Sequence, residues 1–107
     1  MDIDPATIPS RKDYDDLVHL ISNVATSNDA KKLKRVKLEF LNEELEIVKR
    51  ALDLIEWICD ISTGKDGSAE PKKERLEVPL EELSRLIAEL SRTRKNREKR
   101  IMELSKK

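Results

Sequence analysis

Cysteine, glycine and aromatic residues are scarce in this 107-residue chain, which has one Cys, two Gly, one Phe, one Tyr and one Trp, and no glutamine. The single Cys59 excludes an intrachain disulfide and a thiolate pair for zinc. Charged residues make up 41% of the chain, a composition typical of helical proteins rather than of β-sandwiches. It is also typical of thermophilic proteins, although long solvated helices produce the same bias.

Long apolar runs are missing too. No uncharged stretch is long enough for a transmembrane helix, and residues 1–10 have neither the basic nor the apolar region of a secretory signal. We therefore expect a cytoplasmic protein with no membrane span, and leave open an association with a nucleoid or nucleus.

Helical periodicity predicts an extended arm over residues 1–9, a first helix over 10–26 and a second helix over 30–62. Ser10 and the acidic residue three positions later form the sequence pattern of a capping box. Gly64 stands where the left-handed residue that ends a helix is expected. The second helix carries two apolar stripes, which indicates neighbours on both sides.

Residues 63–77 hold both glycines and one proline, and they predict a linker. A third helix is predicted over 78–107, with Pro79 in its first turn, a position that proline favours. The predicted fold is all-α: a single helical domain, 1–107, forming a three-helix antiparallel bundle dominated by a long, coiled-coil-like hairpin.

The formal net charge is zero, but the charges are unevenly distributed. Residues 31–37 contain five bases and no acid, and residues 91–107 contain eight bases against two acids. An antiparallel hairpin would bring these two runs to the same end of the molecule. We predict that this end contacts nucleic acid or an acidic partner. The eleven cations involved are Lys31, Lys32, Lys34, Arg35, Lys37, Arg92, Arg94, Lys95, Arg97, Lys99 and Arg100.

Arg94 and Arg97 occupy a and d positions of the predicted coiled-coil seam, where packing favours leucine or isoleucine. Either the hairpin splays there, or the arginines face a ligand or an acidic partner, or their stems extend along apolar neighbours to solvent. No aromatic residue interrupts the basic runs to stack on bases. Any nucleic-acid contact would therefore be to the backbone.

Residues 51–61 hold eight apolar side chains in eleven positions, and the first helix is too short to reach them. The N-terminal arm or a second chain should cover this patch, because exposed apolar patches mark interfaces. We predict a homo-oligomer or a hetero-complex with a protein partner through Leu54, Trp57, Ile58 and Ile61.

The chain has no pattern of catalytic or metal-binding residues. His19 is the only histidine, and a surface or half-buried position is expected for it. One charged face of the second helix is predicted to be solvated and to hold ion pairs, since the Glu-x-x-His pairs of di-iron bundles are absent. This face carries Glu39, Glu43 and Glu46, joined by Arg50 and Asp53. Cys59 is expected in the core. We expect no enzymatic activity, no cofactor and no small-molecule substrate.

The preferred hypothesis is a non-enzymatic helical adaptor, or accessory subunit of a larger complex, that docks through the apolar patch and contacts nucleic-acid backbone through the basic end. The alternative is a protein-interaction or assembly module whose basic end meets an acidic partner, with no nucleic-acid binding. A third possibility is membrane-surface binding by the cationic last helix, whose apolar face there consists only of Ile101, Met102 and Leu104.

Overall fold

The structure is a computed structural model of the chain and describes residues 8–64 and 72–106. These ranges contain three helices: α1 (Arg11–Ala25), α2 (Lys31–Thr63) and α3 (Lys72–Ser105). The prediction of an all-α three-helix bundle is confirmed. Most of the predicted arm, residues 1–7, and the turn between α2 and α3, residues 65–71, lie outside the described residues.

The ends of α1 and α2 follow from local chemistry. The backbone N–H of Asp13 donates to the Ser10 hydroxyl at 3.4 Å, and the Asp13 carboxylate accepts from the backbone N–H of Ser10 at 2.7 Å. This is the predicted capping box, and it satisfies two of the N–H groups left open at a helix start. α2 ends at Gly64, whose φ of 75° lies in the left-handed region that favours glycine.

α3 starts earlier in the chain than the sequence predicted. The helix begins at Lys72, six residues before the predicted 78–107 element, so the last six residues of the predicted 63–77 linker are helical. Pro79 consequently lies inside α3 instead of in its first turn. An internal proline costs about 3 kcal/mol because it lacks the N–H of the helical ladder. Pro79 is fully buried, and burial of its apolar ring offsets part of that cost.

α2 and α3 form the predicted antiparallel hairpin. Later positions on α2 lie beside earlier positions on α3, as three groups of neighbours show: Leu41 with Ile101, Glu44 with Arg94 and Arg97, and Leu54 with Leu86. α1, with 15 residues, packs on the first half of α2, with 33 residues. At about 1.5 Å per residue, α1 covers less than half of the length of α2. The molecule is a rod of 59 × 23 × 18 Å.

The buried line of α3 is offset by one residue from part of the predicted seam. Thr93 is 6% exposed and lies in the buried line with Leu86, which is 3% exposed, whereas the prediction had put Arg94 in the seam. A small Thr93 at the centre of the interface avoids burying a guanidinium group, which would need full pairing. Arg94 therefore lies at the edge of the α2–α3 interface.

Candidate functional site

The eleven predicted cations lie on the halves of α2 and α3 that pack against each other. Five of them form ion pairs: Arg35 with Glu39 at 3.3 Å, Lys37 with Asp29 at 2.9 Å, Arg94 and Arg97 with Glu44, and Arg100 with Glu103 at 3.4 Å. The other six form no ion pair with a described residue: Lys31, Lys32, Lys34, Arg92, Lys95 and Lys99. We call this half of the hairpin the basic half.

The loop between α1 and α2 supplies one of the acids. Asp29 accepts a hydrogen bond from the Lys37 ammonium group, and the Ser27 hydroxyl donates to the same carboxylate oxygen at 3.2 Å. The Lys37 hydrogen bond is the main cause that lowers the pKa of Asp29 below its ordinary value. The loop thus partly neutralises the charge of Lys37 through Asp29.

Glu44 is the most deeply buried charged residue among those described, with a side chain that is 0% exposed. Nε of Arg94 donates a hydrogen bond to Oε1 at 3.3 Å, and Nη1 of Arg97 lies 3.2 Å from Oε2. The Oε2 contact is an ion pair without hydrogen-bond geometry, and this oxygen accepts no hydrogen bond from any described residue. Burial raises the pKa of Glu44 above its ordinary value, although Arg97 and Arg94 act in the opposite direction.

This cluster explains the two seam arginines. They meet an acidic residue of their own chain, an arrangement that the sequence analysis did not consider. A signal for it exists in the sequence: Glu44 follows Leu41 by three positions and precedes Val48 by four, so helical spacing places it within the apolar stripe of α2. The Arg94 and Arg97 side chains stay 45% and 22% exposed, so their contact with a partner remains a prediction.

The predicted apolar interface is only partly exposed. Ile61 is 1% exposed within the chain, so it offers a partner almost no surface, and its assignment to the interface stays a prediction. Leu54 and Ile58 are half-buried against the core. Trp57 is 45% exposed in a shallow groove, which makes it the main exposed residue of the predicted set.

Two further predictions concerned single residues. Cys59 is exposed, which contradicts its expected core position, because the stripe containing it extends beyond the reach of α1. His19 is exposed, in agreement with a surface position. The acidic face of α2 is also solvated as predicted, with ion pairs from Arg35 to Glu39 and from Arg50 to Glu46.

The described residues contain neither a cluster suited to a metal ion nor a helix suited to a membrane. No group of three or more His, Cys, Asp or Glu side chains in 8–64 and 72–106 is arranged to hold a metal ion. None of the helices within this part of the chain is long and apolar enough to span a lipid bilayer.

The geometry of the basic half, the Glu44 cluster and the Trp57 groove is the basis of the functional argument. No family model, no curated protein and no solved structure matches the chain.

Proposed function

We propose that the protein is a non-enzymatic helical adaptor whose basic half contacts the backbone of a nucleic acid. The observation that carries the proposal is the set of six cations that form no ion pair with a described residue. They belong to two sequence runs about sixty residues apart, and the hairpin brings these runs together. Phosphates are the counter-charge that such a surface attracts, and arginine and lysine both bind them.

The exposed ion pairs of the basic half do not prevent this contact. The Arg35–Glu39 and Arg100–Glu103 pairs join side chains that are 48–81% exposed, and such surface pairs contribute little to stability. A phosphate can therefore replace the carboxylate at small cost. Because aromatic residues are absent from both basic runs, backbone contact without base selectivity is the mode that this surface favours.

A fluorescence-anisotropy titration with labelled duplex and single-stranded oligonucleotides, at two salt concentrations, tests the proposal. We expect affinity that falls steeply as salt rises, because bound phosphates release counterions. A triple variant that changes Lys31, Lys32 and Lys34 to Ala should bind about tenfold more weakly and show a shallower salt dependence.

The matched control changes three cations outside the basic half, Lys12, Lys49 and Arg85, to Ala. It removes the same charge, so it should leave the affinity within about twofold of the wild type if the site is local. Equal losses in the two variants would show a general charge effect, and no binding at low salt would reject the proposal.

The exposed Trp57 favours a second candidate function, a protein-interaction module without nucleic-acid binding. Its indole lies in a groove walled by Leu54 and Leu86 and edged by Arg50, Asp53 and Glu82. Tryptophan is enriched among the residues that anchor protein interfaces. If this groove mediates self-association, light scattering should give a mass above that of the 12.4 kDa chain. The mass should return to that of the monomer in Trp57→Ala and not in the control Val78→Ala.

A further inference from the structure

Glu44 is a buried carboxylate whose ion-pair partners, among the described residues, reach it from the surface of the rod. Its side chain is 0% exposed, whereas the side chains of Arg94 and Arg97 are 45% and 22% exposed. The two guanidinium groups can therefore meet solvent and the carboxylate at the same time. A ligand that draws either arginine outward, or that brings negative charge close to it, changes the electrostatic environment of Glu44.

Arg94 lies where a phosphate on the basic half can reach it. It gives Glu44 the hydrogen bond from Nε, and a guanidinium group carries five N–H donors, so donors on its Nη atoms can turn to a phosphate. Lys95 is exposed, forms no ion pair with a described residue and lines the same cavity as Arg94. A phosphate that binds Lys95 is therefore close to Arg94 as well.

Glu44 also has an oxygen that can accept a proton. Oε1 accepts the hydrogen bond from Arg94 at 3.3 Å, whereas Oε2 accepts no hydrogen bond from a described residue and has the Arg97 ion pair at 3.2 Å. Burial raises the pKa of Glu44 above its ordinary value, and Arg97 and Arg94 oppose that shift. Weakening these two contacts therefore favours the protonated carboxyl group.

We propose that Arg94 and Arg97 are shared between Glu44 and the phosphates of a bound nucleic acid, so that binding is coupled to uptake of a proton by Glu44. The inference rests on the proposed function and deepens it, because it adds regulation to the same surface. The proton comes from solvent, bonds to Oε2 and neutralises the carboxylate, which then no longer competes with phosphate for the arginines. Coupling between two binding events is reciprocal, so a lower pH should tighten the binding of nucleic acid.

The sign of this pH dependence follows from the charges. In the free protein the pKa of Glu44 is already above its ordinary value, and phosphates near the arginines raise it further, because a second negative charge disfavours the carboxylate. Between the free and the bound pKa, the complex holds more protons than its separate components. Affinity should therefore increase as pH falls through that interval, and Glu44 should not affect the slope above or below it.

Other charged groups face this cluster from all three helices. Glu43, beside Glu44 on α2, acts to raise its pKa. The cavities next to the two arginines are also lined by one or more charged residues of each helix: Asp13 of α1, Lys37 of α2, and Lys95 and Glu98 of α3. These groups are the same in wild type and in Glu44→Gln, so the difference between the two proteins isolates residue 44.

The test is a fluorescence-anisotropy titration of a labelled duplex oligonucleotide with wild type and Glu44→Gln from about pH 5 to about pH 8. Glutamine has the shape of the protonated glutamic acid, so the variant imitates the neutral state at every pH. At about pH 8, Glu44→Gln should bind at least about fivefold more tightly than wild type, and the difference should narrow to about twofold near about pH 5.

The matched control is Glu46→Gln, which removes the same charge at an exposed residue that pairs with Arg50 on the same helix. It should change the affinity by less than about twofold and keep the pH dependence of the wild type.

Isothermal titration calorimetry in two buffers of different ionisation enthalpy counts the protons directly. Wild type and Glu46→Gln should take up protons when they bind the duplex near about pH 6, and Glu44→Gln should take up fewer. The wild-type measurement does not depend on the folding of any variant, and no proton uptake by wild type across the pH range would overturn the inference.

Two further results would overturn it. Parallel pH profiles for wild type and Glu44→Gln would show that Glu44 is not coupled to binding. Weaker binding by Glu44→Gln would show that the carboxylate holds the arginines in place for phosphate. In both cases the oligonucleotide still binds, so the proposed function would stand, whereas no binding by any of the proteins at low salt would reject the proposed function and this inference together.

Discussion

At the scale of single residues, Glu44 shows how a buried charge is accommodated in a small aliphatic core. Its carboxylate lies in the stripe of Leu41, Val48 and Ala51, and the two arginines reach it from the solvent side of α3. Burial of an ion pair costs desolvation energy that the pairing repays only in part. The desolvation cost falls mainly on Glu44, because its side chain is fully buried whereas both arginines are partly exposed.

The pH dependence of stability should reveal the raised pKa of Glu44. A carboxyl whose pKa is higher in the folded than in the unfolded state stabilises the fold below its ordinary pKa, and this contribution is lost as pH rises through the folded value. Urea unfolding from about pH 4 to about pH 8 should therefore show wild-type stability falling relative to Glu44→Gln. A difference that rises with pH would mean that the arginines outweigh burial.

Removing the two arginines should lower the free energy of unfolding more than removing Glu44 does. The variant Arg94→Ala/Arg97→Ala leaves a buried carboxylate unpaired and should lower the free energy of unfolding by about 3 kcal/mol at neutral pH. Glu44→Leu leaves only partly exposed arginines and should change it by less than about 1 kcal/mol. Thermal and urea unfolding of both variants measure the change in the free energy of unfolding. Equal losses would show that the arginines contribute mainly through their apolar stems.

Glu44 and Cys59 also show why residue-level prediction from this sequence was incomplete. Cys59 was expected in the core and is exposed, whereas Glu44, for which no prediction was made, is buried. Position in the helical stripe predicts Glu44 better than its chemistry does. For Cys59 the stripe itself misleads, because burial also needs a neighbouring helix and α1 is too short to supply one.

At the scale of helices, the ends with specific side-chain or backbone chemistry were predictable. The Ser10–Asp13 box and Gly64 placed the ends of α1 and α2 to within a residue. The start of α3 was not, because Pro79 in sequence is most often a first-turn residue and here it is internal. Tertiary burial of Pro79 overrides that local preference.

Pro79 should consequently be a site where the helix can be stabilised. Pro79→Ala restores an N–H and removes a clash, a gain of about 3 kcal/mol, and it loses about 1.5 kcal/mol of buried apolar carbon. We expect a net increase of about 1.5 kcal/mol in the free energy of unfolding, measured by urea denaturation. The neighbouring control Val78→Ala, at a 65% exposed residue, should change it by less than about 0.5 kcal/mol. A destabilised Pro79→Ala would show that the ring fills space that the core cannot do without.

At the scale of the whole molecule, the antiparallel register decides which charges become neighbours. Contacts of Glu44 with Arg94 and Arg97 fix that register, and it brings residues 31–37 towards the end of α3. The basic half could be predicted from the sequence because it needs only chain reversal between two long helices. The residues of α1 and α3 that face each other could not be predicted, since they depend on which face of α2 receives α1.

A pair of spin labels tests the register directly. In a Cys59→Ser background, Lys34→Cys/Arg100→Cys should give a distance about 20 Å shorter than Lys34→Cys/Arg85→Cys, since residue 85 lies fifteen positions nearer the start of α3 than residue 100. Pulsed electron paramagnetic resonance measures both. Similar distances, or the reverse order, would remove the basic half and the proposed function together.

The limited length of α1 has a consequence for the dynamics of the rod. Its cross-section changes from three helices to two along the long axis, so the amide hydrogens of the two halves are protected by different numbers of packed neighbours. Opening free energies follow local packing, and deuterium should enter residues 52–63 of α2 sooner than residues 38–50. We therefore expect the half of the rod that carries the basic residues to open less often than the half that carries Trp57. A partner that binds near Trp57 would then meet the part of the molecule whose backbone adjusts more easily.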